Sequence, residues 1–378
     1  EIRIQHNYSI GKNPSTLIAG AQIMNNDLHR TQNGVGTTGI DYDLSLIRPY
    51  WGKDMHFKTN NLALFLENNL KLSQNFSWNI GARLEEGQSK MTGFVDYLPD
   101  NQATPVLMNH KFPLFGTSFS YKTKEKNELY AGFSQAYRPN VFKDIVPANS
   151  YEKVDPNLKD AYGYNAELGF RGSTSNLKWD ITGFLLNYQN RFGIISLLDE
   201  NNQYYGYRTN VGNSLNKGLE IYLEGTWALN NKAQISLFTS SSIMDGRYTS
   251  GEIKVGEQNK SIKGNKIESV PTVISRNGIS LQYEKLSSTL LFSYTGKNYA
   301  DALNTEIPNE AGTVGIVPAY TVIDFNLTYR YSENIQIRGA INNLLNKQYF
   351  TKRPAFYPGP GIWPSDGING NMSIVLSF

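Results

Sequence analysis

Along this chain polar and apolar side chains alternate with a period of two, over stretches too long for an ordinary soluble sheet. Leu219, Ile221, Leu223, Gly225, Trp227 and Leu229 fall on one face of their segment; Glu220, Tyr222, Glu224 and Thr226 fall on the other. Between 323 and 331, Ile323, Phe325, Leu327, Tyr329 and Tyr331 oppose Asp324, Asn326, Thr328 and Arg330. The segments 62–66, 129–133, 164–170, 335–341 and 372–378 alternate in the same way. Successive residues of a strand point to opposite faces, so each such segment has one oily side and one wet side. Globular strands run to about five or six residues. A tilted strand that crosses a bilayer needs about ten, and the longer segments match that length.

The connections are sorted by length. Short turns are expected near 10–15, 73–76, 123–127, 173–176, 230–232, 285–288 and 331–334. Longer loops are expected near 29–56, 93–111, 139–160, 192–203, 250–268, 300–318 and 351–368. The two kinds take turns without exception. Soluble sandwiches have no reason to sort their loops, whereas outer-membrane barrels join strands by short periplasmic turns and long extracellular loops. Such walls leave no backbone group unpaired in lipid. The reading is therefore all-β: a transmembrane antiparallel β-barrel in a bacterial outer membrane, crossing it many times.

Counting between the connections gives about fifteen strands, the last being Met372-Ser-Ile-Val-Leu-Ser-Phe378 with Met372, Ile374, Leu376 and Phe378 outward. An odd number does not close a single-chain bacterial barrel. Residues 1–9 also lead straight into a short turn. The expectation is that residues 1–378 are one barrel unit whose N-terminal strands are missing, with Phe378 a true end.

Composition agrees. Hydrophobic residues make up 39% of the chain and mean hydropathy is −0.44. No window approaches the roughly 18–20 apolar residues of a membrane helix. The 24 Tyr, 18 Phe and 33 Gly suit aromatic belts and tight turns. Cysteine is absent, which excludes disulfides and thiolate metal sites. A net charge of +3 is too small to imply nucleic acid. No signal peptide is expected within these residues, because Glu1-Ile-Arg-Ile-Gln5 already reads as strand.

Several stretches resemble TonB-dependent outer-membrane receptors. One is Leu129-Tyr-Ala-Gly-Phe-Ser-Gln-Ala-Tyr-Arg138-Pro139, followed by Val154-Asp-Pro-Asn-Leu-Lys159 and Tyr164-Asn-Ala-Glu-Leu-Gly-Phe-Arg-Gly172. A second is Asn210-Val-Gly-Asn213 with Asn216-Lys-Gly-Leu-Glu-Ile221; a third is Ile341-Asn-Asn-Leu-Leu-Asn-Lys-Gln-Tyr349. Lys352-Arg-Pro-Ala-Phe-Tyr-Pro-Gly-Pro-Gly-Ile-Trp-Pro364 resembles the last extracellular loop of ferric dicitrate receptors. The resemblance implies a barrel of about 22 strands filled by an N-terminal plug domain. It also implies a TonB-binding segment, and both that segment and the plug are absent from this chain. The implied cargo is Fe(III)-citrate, with no resident cofactor.

A small anionic chelate is held best by guanidinium forks, amides and hydroxyls. The loops offer Arg30, Arg48, Arg138, Lys143, Arg191, Arg208, Lys352 and Arg353. Arg138 and Arg208 lie near strand ends, where side chains can reach the lumen. Arg353 is either a ligand contact or a brace for the Pro-rich loop, and Gln135, Gln203 and Tyr357 complete the expected ligand set. The bland alternative is that loop cations are solvated or touch lipopolysaccharide phosphates. Tyr357-Pro-Gly-Pro-Gly-Ile-Trp-Pro364 is a stiff lid or a ligand wall, because Pro fixes φ and Gly permits reversals. Glu167, Arg171, Glu220, Glu224, Asp324, Arg330 and Arg338 face the lumen and need partners on the wall or the plug; Trp179, Trp227, Tyr329 and Tyr331 suit the interfacial girdles.

The alternative cargoes are another siderophore, haem or cobalamin, and three rival readings are weaker. Tyr137-Arg-Pro139 and Asp155-Pro-Asn-Leu158 echo haem receptors, but no histidine lies between Arg138 and Leu158. His6, His29, His56 and His110 show no metal-ligand spacing; His29 and His56 share a loop and read as solvated. An enzyme would need a fixed Ser/His/Asp group, and no Gly-x-Ser-x-Gly elbow occurs. A passive porin gives no reason for the receptor-like motifs.

Overall fold

The computed structural model describes residues 1–32, 35–36, 45–48, 53–95, 106–123, 126–147, 151–354 and 361–377. Tyr357 and Phe378 lie outside the described residues. Seventeen strands join one sheet. Two of them, Glu152–Val154 and Gln258–Ser261, are short additions at the rim, which leaves fifteen wall strands. In order these are Ile2–Ile10, Asn13–Gln32, Lys53–Lys71, Phe76–Val95, Val106–Lys122, Glu128–Arg138, Ala161–Ser173 and Leu177–Leu198. Then follow Tyr204–Ala228, Ala233–Val255, Val273–Tyr283, Leu286–Thr295, Tyr320–Arg330, Ile335–Asn342 and Asn369–Leu376. Each pairs antiparallel with its neighbours in sequence, giving a continuous meander. Among the described residues the first strand pairs only with the second and the last only with the fourteenth. The count matches that expected from the turns.

Opposed residues of a ladder share a face, so the register sorts the two sides. Ala21, Leu64 and Leu84 stand in one row, and Ala19, Leu66 and Ala82 in the next. Leu62, Leu64, Leu66, Leu84, Phe115, Leu168 and Phe170 are all exposed on that face. A soluble protein rarely shows so broad an apolar surface; a membrane wall requires one. Trp78 stacks near Phe119 at 5.7 Å close to a short turn, and Tyr121, Trp227, Tyr283, Tyr329 and Tyr331 lie exposed near others. They suit an interfacial girdle.

The opposite face is polar and much of its charge is matched on the wall. Arg171 meets Glu128 at 3.0 Å and Lys178 meets Glu224 at 3.4 Å. Asp324 accepts the Asn343 amide at 2.7 Å, and Arg338 donates to Gln336 at 2.7 Å.

Two expectations about loops are corrected. The strands Leu177–Leu198 and Tyr204–Ala228 run 22 and 25 residues, so the expected loop 192–203 shrinks to residues 199–203. His29 and His56 are likewise strand residues that stand directly opposite one another. The reason is the same in both places. Above the bilayer both faces of a strand are wet, so polarity stops alternating while the hydrogen-bonded ladder continues. The extensions also bend. The register shifts between Asn213 and Ser214, and Gly251 beside it holds φ at +138°; a Cβ there would stand 2.5 Å from the Val211 carbonyl oxygen. Only glycine serves such a bulge.

Candidate ligand-binding site

The ends of the strands away from the short turns form a mouth, and residues 139–147 and 151–160 of the segment 139–160 turn back into it. Ile145, Val146 and Leu158 pack against Met55, Phe57, Met91, Val95 and Met108. Those five lie on the polar-side face of the 53–71, 76–95 and 106–122 strands, the face that also carries Ala63, Arg83 and Glu85. Met55 and Met91 are fully buried. An apolar patch on an otherwise wet lumen wall thus receives the apolar residues of this segment.

Polar groups fasten the segment at both ends. Arg138 Nη2 reaches Asp144 Oδ2 at 2.9 Å, and Asp144 also accepts the Val141 amide at 2.9 Å. Asp160 accepts the Asn140 amide at 2.8 Å through one oxygen and pairs with His110 Nδ1 at 2.6 Å through the other. Further along, Glu152–Val154 adds to Gly206–Arg208 as a short parallel strand. Arg208 Nη2 reaches Glu152 Oε2 at 2.8 Å, and Thr209 Oγ1 donates to Asp155 Oδ2 at 2.6 Å. Burial, and then the hydrogen bond to Asp155, push the Tyr207 phenol up to about 12.

The expected ligand residues divide accordingly. Arg138 and Arg208 come to the same segment, one at each end, and both hold acids there. The Arg138 guanidinium also lies 4.6 Å from the centre of the Phe192 ring, and its Nη1 is buried with no acceptor among the described residues. Arg353 braces another loop, donating to the carbonyls of Ile316 at 3.0 Å and Gly312 at 3.2 Å. Gln135 is on a strand, and its side-chain oxygen accepts the Phe115 amide at 2.9 Å. Gln203 sits at the exposed turn, where its amide donates to Asp199 at 2.8 Å. The residues missed from sequence are the acids Asp144, Glu152, Asp155 and Asp160, with His110. The available signal was four acids within one loop beside two strand-end arginines.

Beneath the segment is a cavity of about 470 Å³ whose polar lining includes Gln22, Asn61, Arg83, Glu85, His110 and Tyr137. Tyr137 stacks on Phe112 at 4.2 Å and donates to Glu85, while Arg83 donates to Gln22 at 2.8 Å. Lower on the wall a second space of about 670 Å³ is lined by Tyr130, Glu167, Asp180, Glu220 and Arg276 among others. The arrangement offers guanidinium, amide and hydroxyl donors near the rim and carboxylates deeper down. Donors and acceptors of that kind suit a polar solute.

Relatives point the same way. The chain is 26% identical over 254 residues to the vitamin B12 transporter BtuB of Vibrio cholerae, covering 67% of this chain and 35% of that one. It is 20% identical over 342 residues to the metal-pseudopaline receptor CntO of Pseudomonas aeruginosa, covering 88% and 43%. Its fold superposes on the unliganded ferric citrate transporter FecA with a TM-score of 0.78 at 18% identity, over 100% of this chain and 53% of that one. The chain thus spans about a third to a half of the proteins it matches. These relatives are transporters and receptors, not enzymes. A family model described as TonB dependent receptor-like, beta-barrel matches residues 3–344, and with a fifteen-strand wall that is apolar outside and polar inside, the chain belongs to that family.

Proposed function

We propose that this chain forms the wall and outer loops of an outer-membrane receptor that imports a ferric chelate, ferric dicitrate, gated by a plug domain and energised by TonB. The observation that carries the reading is the buried Arg138 Nη1 at the mouth, a guanidinium donor with no acceptor among the described residues. An unmet buried donor costs about 1–3 kcal/mol, which an anionic ligand oxygen would recover. Arg208 and Arg353 supply further guanidinium groups at the rim, with Gln135, Gln203 and Tyr357 as neutral donors. Support for citrate in particular is the likeness of Lys352–Pro364 to the last loop of ferric dicitrate receptors. The carboxylate-rich space around Glu167 and Glu220 suits pairing with basic groups of a plug. Outward of the rim, lysines meet lipid and lipopolysaccharide.

The test is titration calorimetry of the receptor in detergent with ferric dicitrate, a ferric catecholate, haem and cyanocobalamin, together with growth under iron limitation. Ferric dicitrate is expected to bind, and Arg138→Ala to weaken it about 10- to 100-fold, the worth of a charge-assisted hydrogen bond. If ferric dicitrate neither binds nor supports growth, the substrate reading fails. Binding of cyanocobalamin instead would favour the substrate of the Vibrio relative. If ferric dicitrate binds but Arg138→Ala, Arg208→Ala and Arg353→Ala are all silent, the assignment of residues fails alone.

A further inference from the structure

On the outer side of the wall, above the apolar band, two histidines face each other across neighbouring strands. His29 on Asn13–Gln32 and His56 on Lys53–Lys71 are direct ladder partners, and their rings stack at 4.0 Å with planes 6° apart. Alternation puts them on the outward face: Met55 and Phe57, the neighbours of His56, are buried inward, while Leu62 and Leu64, an even number of residues further along, are exposed to lipid. Asp54 lies two residues before His56 on the same face, and its Oδ1 is 2.8 Å from His29 Nε2. One ligand atom from each of His29, Asp54 and His56 lies within 4.8 Å of the others.

We propose that His29, His56 and Asp54 form a binding site for a divalent first-row transition metal ion, such as Zn²⁺ or Ni²⁺. Imidazole and carboxylate are the donor set such ions take, with bonds of about 2.0–2.2 Å. Donors on a tetrahedral ion lie about 3.4 Å apart, and because an imidazole donates in its own plane, one of the two stacked rings swings out of the stack to share the ion. The ion takes the place of the 2.8 Å hydrogen bond between His29 Nε2 and Asp54 Oδ1, whose proton passes to water.

A second layer is already in place. Asp27 Oδ1 holds His56 Nδ1 at 3.1 Å, which fixes the ring and leaves its other nitrogen available; Lys58 stands 3.5 Å from Asp27. A carboxylate behind a ligating imidazole orients it and raises its basicity. Three protein ligands leave at least one position for water, so the ion sits at the surface rather than in a closed cage. His29 and His56 lie near the outer ends of their two strands, and the bound ion ties those ends together. It stands outside the lumen, apart from the path proposed for the chelate.

The experiment is calorimetric titration of the chelator-stripped receptor in detergent with ZnCl₂ and NiCl₂. One equivalent is expected to bind. His29→Ala and His56→Ala should each weaken it at least about 30-fold, and Asp27→Asn about tenfold, with ferric chelate binding unchanged. His6→Ala, an exposed histidine elsewhere, serves as the control. Heat-modifiable migration on gels checks that each variant is folded, and His29→Gln repeats the test if His29→Ala is not. Paramagnetic resonance of bound Cu²⁺ should show coupling to two imidazole nitrogens. Absence of saturable binding at millimolar metal overturns the proposal, as does equal binding by wild type, His29→Ala and His56→Ala.

Discussion

Tyr207 shows how single groups at the mouth couple the fold to solution conditions. Its hydroxyl faces Asp155, which also receives Thr209 Oγ1 at 2.6 Å, so the phenol lies between burial and a carboxylate. Both disfavour the phenolate, and the folded value of about 12 stands above the ordinary 10. A group raised on folding contributes fully below its unfolded value and loses that contribution as pH climbs through the folded one. The docking of segment 139–160 should therefore loosen between pH 10 and 12. Limited proteolysis within that segment is expected to rise across this window in the wild type and to rise less in Tyr207→Phe. Identical profiles for the two proteins would assign the alkaline loosening to lysines or other tyrosines. Tyr207 meets the segment at Asp155, so fragments should begin near residues 151–155.

At the scale of elements, segment 139–160 behaves as a strap held by two arginines. The Arg208 side chain is 18% exposed and its partner Glu152 6%. Breaking a buried pair from one side costs about 3–5 kcal/mol; discounted for the partly exposed guanidinium, Arg208→Ala should cost about 2–3 kcal/mol. Glu152→Gln removes the same pair while leaving Arg208 in place. Ferric chelate titrations then separate two roles. If Arg208 acts by holding the strap, both changes lower affinity equally; if it touches the chelate, only Arg208→Ala does. Little of this strap was legible in the sequence, although the wall was. Alternation at 62–66, 164–170 and 219–229 reports a bilayer on one side and water on the other, and that contrast exists only within the membrane. The outer reach of Leu177–Leu198 meets water on both faces, so residues 192–198 read as loop. Arg138 and Arg208 stand out in the sequence because they flank strand ends. Their acids were not, because which loop residue returns to which arginine depends on the loop's path and not on local spacing. His29 and His56 stand 27 residues apart and meet only through ladder register.

The whole molecule is defined by the sidedness of its wall, and that can be tested at one position. Leu64 lies on the outward face, 49% exposed, in register with Ala21 on one neighbouring strand and Leu84 on the other. It is seven residues above the inner end of its strand at Lys71. With about ten residues to a crossing, that places it within the hydrocarbon span, on the outer side of its middle. An arginine at such a site costs about 2–4 kcal/mol, since neither lipid tails nor a neighbouring strand can satisfy it. Ser242, opposite Glu220 on the polar face, offers the contrast: Ser242→Arg gains an acidic neighbour and a wet lumen. In urea titrations of the receptor folded into phospholipid vesicles, Leu64→Arg should lose about 2–4 kcal/mol and Ser242→Arg less than about 1 kcal/mol. The reverse order would mean that the apolar face looks inward, and the mouth, the strap and the metal site would then exchange sides. Equal losses would mean that the sheet does not separate lipid from water at all. The difference between the two substitutions, and not either loss alone, measures the membrane's share in holding this wall together.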